Sequence, residues 1–108
     1  MLRIYSVSLD LVRSVSPLIN AISSHDPDLA KQLRRSIASV PLNLAEGSHA
    51  RGARRSSHYS IAMGSAREAL ACLETASAFG YAIEIPDEVH AHFRAVLGTL
   101  YRVLRSPR

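Results

Sequence analysis

Residues 26–47 read DPDLAKQLRRSIASVPLNLAEG, and their punctuation and period point to one long helix. Asp26 is placed to cap that helix, Pro27 to take its first position and Asp28 to sit in its positively polarised first turn. Leu29, Leu33, Ile37, Val40 and Leu44 recur at three- and four-residue steps, the period of a single helix face. Pro41 interrupts the stripe, and Ser39 or a water is expected to take up the carbonyl that Pro41 leaves unpaired. Gly47 is expected to end the helix as its C-cap.

Three similar stripes lie on either side. Upstream, Leu11, Val12, Val15, Leu18, Ile19 and Ile22 keep helical spacing over three turns, with Pro17 predicting a kink or a restart. Downstream, no apolar period survives between Ser48 and Arg55, so this segment reads as a loop. Ser56 or Ser57 then caps a third helix with the stripe Tyr59, Ala62, Met63, Ala66, Leu70, Leu73, Ala76, closed by Gly80. Pro86-Asp87-Glu88 opens a fourth, with acids at its positive end and the stripe Val89, Phe93, Val96, Leu97, Leu100, Leu104. No strand-like alternation, repeat or low-complexity tract is present. The economical solution is all-α: a single domain over residues 1–108, folded as an antiparallel up-down-up-down four-helix bundle. Only the termini, particularly Ser106-Pro107-Arg108, are expected to be loose.

Composition agrees. At 108 residues the chain supports one core, and 47% hydrophobic with 20% charged residues is a globular balance. Cys72 stands alone, which excludes a disulfide scaffold. The longest uncharged stretch, Ser14 to His25, is about half the length of a bilayer helix. The first residues, MLRIYS, lack the apolar core of a signal peptide, so a cytoplasmic setting is expected, with no membrane association.

Thirteen Lys and Arg against nine Asp and Glu give a net charge of +4. Between Lys31 and His58 stand Lys31, Arg34, Arg35, Arg51, Arg54 and Arg55, with Glu46 as the only acid, so this segment carries the whole imbalance. All but one of the thirteen cations are Arg, whose planar fork suits phosphate. These six residues are the candidate nucleic-acid-binding surface, with Gly52 letting a phosphate approach the backbone; the plain alternative is a solvated basic face. Only Tyr59 lies close enough to stack, so contact with RNA or DNA is expected to be electrostatic and weakly sequence-specific. On the third helix, Ile61 and Cys72 fall off the main stripe, and Ser65 and Glu68 share that flank. Apolar residues off the core face, beside small ones, point to self-association.

Two boxes carry a family resemblance: Asn43-Leu44-Ala45-Glu46-Gly47, and Gly64-Ser65-Ala66-Arg67-Glu68. With the run from Gln32 between and around them, the chain resembles the bacterial four-helix-bundle proteins of 23S ribosomal RNA intervening sequences. The accessory variability determinant of diversity-generating retroelements is related to that group. The resemblance implies a helical bundle assembled into a homopentamer with a basic surface, and no established catalytic activity. In the retroelement branch it implies association with a reverse transcriptase and with nucleic acid.

Asn43, Glu46, Ser65, Arg67 and Glu68 are polar members of those boxes. They are read as a structural network joining helices or subunits, with Arg67 or Arg35 as an ion-pair partner and Glu46 one turn from Asn43. The opposing reading makes Glu46 and Glu68 an acid/base or metal pair, but two Glu without a nearby His or Asp make a poor site. His25, His49, His58, His90 and His92 form no ligand set, Ser57 and His58 diverge on a helix, and Cys72 reads as a packing residue. No metal or cofactor is expected, and no enzyme. The functional expectation is a homo-oligomeric, RNA-associated accessory protein. The alternative is a scaffold that docks an acidic protein partner such as a reverse transcriptase, without touching nucleic acid.

Overall fold

The computed structural model describes residues 2–81 and 83–105; the Ser106-Pro107-Arg108 terminus lies outside the described residues. Four helices account for nearly all of them: α1 Leu2–Ser23, α2 Pro27–Ser48, α3 Gly52–Ala78 and α4 Asp87–Arg105. Each packs on the next in the chain, and α4 closes back on α1. Side-chain bonds fix the directions. Gln32, Ser39 and Asn43 on α2 bond to Glu68, Ser65 and His58 respectively, so α3 residue numbers fall as α2 numbers rise. Between α1 and α4, Ser14 meets His92, while Arg3 and Val7 share a groove with Thr99 and Arg102. This is the expected antiparallel four-helix bundle, 43 Å long, about the length of its longest helix.

The predicted stripes form the core. Leu11, Val15 and Ile22 of α1, Leu33, Val40 and Leu44 of α2, Leu73 of α3 and Val96 and Leu100 of α4 are fully buried. Burying each stabilises the fold by roughly 1.5–3 kcal/mol. On α3 the buried positions are mainly Ala62, Ala66, Ala69 and Ala76, which lets α2 and α3 pack as the most extensive helix pair. α1 begins well before the stripe from Leu11, burying Ile4 and Ser8, and runs through Pro17.

Three features differ from expectation. α2 does not stop at Gly47: it runs to Ser48 and is capped by His49. Gly47 is buried because the Tyr59 ring lies against it; a Cβ there would come within 2.7 Å of Tyr59 Cδ1. The glycine therefore serves close packing rather than a cap. α3 starts at Gly52, not at Ser56 or Ser57, because Ala53, Arg54 and Arg55 are sound helix formers that need no apolar stripe. Cys72 is the packing residue expected, but it packs in the core rather than off it: at its level α2 covers that flank of α3, beside Ser36, and burial pushes its thiol pKa up.

Asp26 and Gly80 behave as read. Asp26 Oδ1 accepts from the Leu29 N–H at 3.0 Å, and Gly80 takes φ +81° just after α3. Asp26 Oδ2 also accepts from the Tyr81 hydroxyl at 2.9 Å, tying the α1–α2 turn to the α3–α4 connection. The Leu29 bond first, and the Tyr81 bond second, hold the Asp26 carboxyl below the ordinary carboxylate range.

Candidate nucleic-acid interface

The turn between α2 and α3 is only His49, Ala50 and Arg51. Gly52 then enters α3 with φ +57°, and nothing lies within 4 Å of a Cβ placed on it. Its need is conformational, not the close approach of a ligand. Arg51 is the extended N-cap residue; no side chain caps α3, and its first turn contains no acid. The first N–H groups of α3 therefore lack helical partners, and the exposed Arg51, Arg54 and Arg55 surround them. Cations at a helix N-terminus oppose the macrodipole by about 0.3–1 kcal/mol each, while the same arrangement favours a bound anion. Arg55 is partly pinned, its Nε donating to the Ala50 carbonyl at 3.0 Å. One turn on, the Tyr59 hydroxyl is buried without a hydrogen-bond partner among the described residues, and burial raises its pKa against the opposing charge of Arg55.

The six sequence-predicted cations do not form one patch. Lys31, Arg34 and Arg35 are exposed on the outer face of α2, the face that also carries Leu42. From Arg35 to the end of α2 at Ser48 is about 20 Å at 1.5 Å per residue. What joins the α2–α3 turn instead comes from the other two helices. Among the described residues, within two turns of this end of the bundle lie Arg3 on α1, Arg51, Arg54 and Arg55, and Arg102 and Arg105 on α4, against Glu46 alone. The same span at the opposite end holds Asp26, Asp28, Glu74, Glu84, Asp87 and Glu88, against Lys31, Arg34 and Arg94. The bundle thus has a basic end and an acidic end. Sequence order conceals this, because Arg3 and Arg102 lie at opposite ends of the chain.

Between the two clusters runs a polar seam along α2 and α3. Ser65 donates to Ser39 Oγ at 2.8 Å, Asn43 Nδ2 donates to Ser39 Oγ and its carbonyl at 3.0 Å, and His58 Nδ1 meets Asn43 Oδ1 at 3.0 Å. With Asn43 oriented this way, the His58 proton sits on Nδ1. Asn43 and Ser65 are therefore brought together through Ser39, which the sequence places at the Pro41 break, and Asn43 also holds His58, for which the sequence suggests no role. Glu68 accepts from Gln32 at 3.3 Å. Glu46 and Arg67 are exposed and make no side-chain hydrogen bond among the described residues, where the only ion pair is Arg13–Asp10. The expected pairing of a Glu with Arg67 or Arg35 is not formed.

Beside the seam, Leu42 is 64% exposed and Ile61 48%. Ile61 shares its face of α3 with Gly64, Ser65 and Glu68, and a Cβ on Gly64 would meet nothing within 4 Å. Among the described residues no three His, Cys, Asp or Glu side chains converge as a metal site, and no helix is long and apolar enough to cross a membrane.

The two sequence boxes thus lie on the two helices of one hairpin of a four-helix bundle, offset along it and linked through Ser39. The family model of the 23S rRNA-intervening sequence protein matches residues 1–104. The chain belongs to that family. Comparison with curated proteins and with solved structures found no match. The intervening-sequence family supplies a frame for the boxes: Leu44 fills the core, Gly47 admits Tyr59, and Asn43 and Ser65 close the seam.

Proposed function

We propose that this intervening-sequence family member is a non-enzymatic, homo-oligomeric accessory protein that binds RNA through its basic surface. The observation that carries the reading is the uncapped N-terminus of α3 ringed by Arg51, Arg54 and Arg55. There the chain accepts unfavourable helix electrostatics, which a bound phosphate would reverse. The family's name adds ribosomal RNA as the natural setting. Lys31, Arg34 and Arg35, about 20 Å along α2, form a second contact for the same nucleic acid. Arg-to-phosphate contact without a base-reading element gives weak sequence preference, for RNA or DNA alike.

Self-association uses the α2–α3 face, where Leu42 and Ile61 are exposed and Gly64 has no steric reason within one chain. Glycine in a helix interior costs about 0.5–1 kcal/mol relative to alanine, which close approach of a second chain would offset. A closed ring, a homopentamer as the family resemblance implies, repeats the basic end with its symmetry, so that weak contacts add up.

The test is RNA and DNA binding by fluorescence anisotropy across a salt series, with oligomeric mass measured alongside. Affinity should fall steeply with salt. In Arg51→Ala/Arg54→Ala/Arg55→Ala it should weaken further, the slope flattening by about 0.7 for each single-strand phosphate that is no longer neutralised. An intact oligomer that binds neither nucleic acid at low salt overturns the reading in favour of a scaffold for an acidic protein.

A further inference from the structure

Two grooves run between α1 and α4, and their charges differ. The one toward the acidic end, about 650 Å³, is balanced: Arg13 is paired to Asp10 at 2.7 Å, and Glu88 and His92 line the far wall. Ser14 cannot act there as a nucleophile activated by His92, because its hydroxyl already donates to the Leu11 carbonyl at 2.9 Å and so receives the imidazole bond.

The other groove, about 530 Å³, runs from the middle of the bundle, at Arg94, to the basic end, and no carboxylate lines it among the described residues. Arg3 from α1 and Arg94 and Arg102 from α4 line it, over Ile4, Val7 and Val103, with Thr99 as a neutral polar group. None of the three guanidinium groups is in an ion pair among the described residues. Helix electrostatics account for Arg102, which stands in the last turn of α4, where a cation is favourable. They do not account for Arg3, which stands in the first turn of α1, where no acid is present and a cation is unfavourable. They do not account for Arg94 either, in the interior of α4 on the same groove wall. Like charges gathered along one groove repel one another, and an anion between them removes that cost. Arginine is the side chain that meets phosphate oxygens two at a time. The apolar floor is unsuited to a bare inorganic ion and suited to a phosphate that carries a planar or apolar body, and the volume is that of a small-ligand site.

We propose that the Arg3–Arg94–Arg102 groove is a second phosphate-binding site, which takes the phosphate of a nucleotide and seats its base against Val7 and Val103. It deepens the nucleic-acid reading, resting on it only for the source of the nucleotide: a free mononucleotide or a unit of an RNA strand. No cation of this site lies in the segment between Lys31 and His58, so the two sites can be removed separately.

The experiment is calorimetric titration of the full chain with inorganic phosphate, AMP and a short single-stranded RNA. Four proteins are compared: wild type, Arg94→Ala/Arg102→Ala, Arg51→Ala/Arg54→Ala/Arg55→Ala, and Arg13→Ala as the control in the balanced groove. Helical circular dichroism checks each fold, and Arg94→Gln, which leaves the end of α4 untouched, serves if the double variant is misfolded. The site predicts AMP binding tighter than phosphate, weakened at least tenfold in Arg94→Ala/Arg102→Ala or Arg94→Gln and unchanged in the other two variants. AMP binding with RNA binding absent keeps the groove and overturns the nucleic-acid reading. RNA binding abolished only in the α3 variant, with no AMP binding, overturns the groove and keeps that reading. Equal binding of every probe by the wild type and the groove variants overturns the groove outright.

Discussion

The two ends of the bundle are built by opposite rules. At the acidic end both entering helices are started as helix physics favours: α2 by the Asp26 cap, Pro27 and Asp28, α4 by Asp87 and Glu88. That end is also tied across, by the Asp26–Tyr81 bond and the stacking of Tyr81 on His25 at 5.1 Å and on Phe79 at 5.4 Å. At the basic end α3 starts uncapped with arginines around its positive terminus, and α1 starts with Arg3 and no acid. Where local rules are broken and the core beneath is intact, function is the natural place to look for the reason.

The largest expected effect breaks the comparison at the basic end. Arg51→Ala/Arg54→Ala/Arg55→Ala should lower RNA affinity roughly tenfold to a hundredfold at low salt by anisotropy, while leaving the thermal midpoint level or higher. A fall in both would mean that these arginines hold the fold together. Next comes Gly47→Ala, whose Cβ meets the Tyr59 ring; chemical denaturation should show a loss of about 1–3 kcal/mol, recovered in part by Tyr59→Leu in the same chain.

At the acidic end the effect depends on pH. The Asp26 pKa is lower folded than unfolded, so its contribution is fully present above its unfolded value and is lost as pH falls through the folded value. Asp26→Ala should therefore lower the thermal midpoint at neutral pH, and the gap from wild type should narrow below about pH 4. The smallest effect is expected from Tyr59→Phe, which removes a buried hydroxyl that has no partner among the described residues and should leave stability unchanged or slightly raised.

The bundle is legible in the sequence because Leu33, Ile37, Val40 and Leu44, and their counterparts on α1 and α4, are large apolar residues at one period. The start of α3 is not, because Ala53, Arg54 and Arg55 carry helix propensity without an apolar stripe. Gly47 is read as a cap because a capping glycine and a glycine that admits a ring look alike until the ring is placed. The candidate site is half legible: Arg51, Arg54 and Arg55 stand together in the chain, but Arg3 and Arg102 join them only through the antiparallel packing of α1 and α4 in the bundle. Ser39 and His58 belong to the seam by facing Ser65 and Asn43, a relation between helices that no spacing within one helix reveals.

The most direct test of the trade between capping and binding is Arg51→Asp, read for thermal midpoint and RNA affinity on the same preparation. An Asp at this N-cap position supplies the acid that α3 lacks, so stability should rise by about 1 kcal/mol, or several degrees, while affinity falls at least tenfold. A variant that gains stability and binds RNA as tightly as the wild type would contradict the account, since the uncapped end of α3 would then have no part in binding.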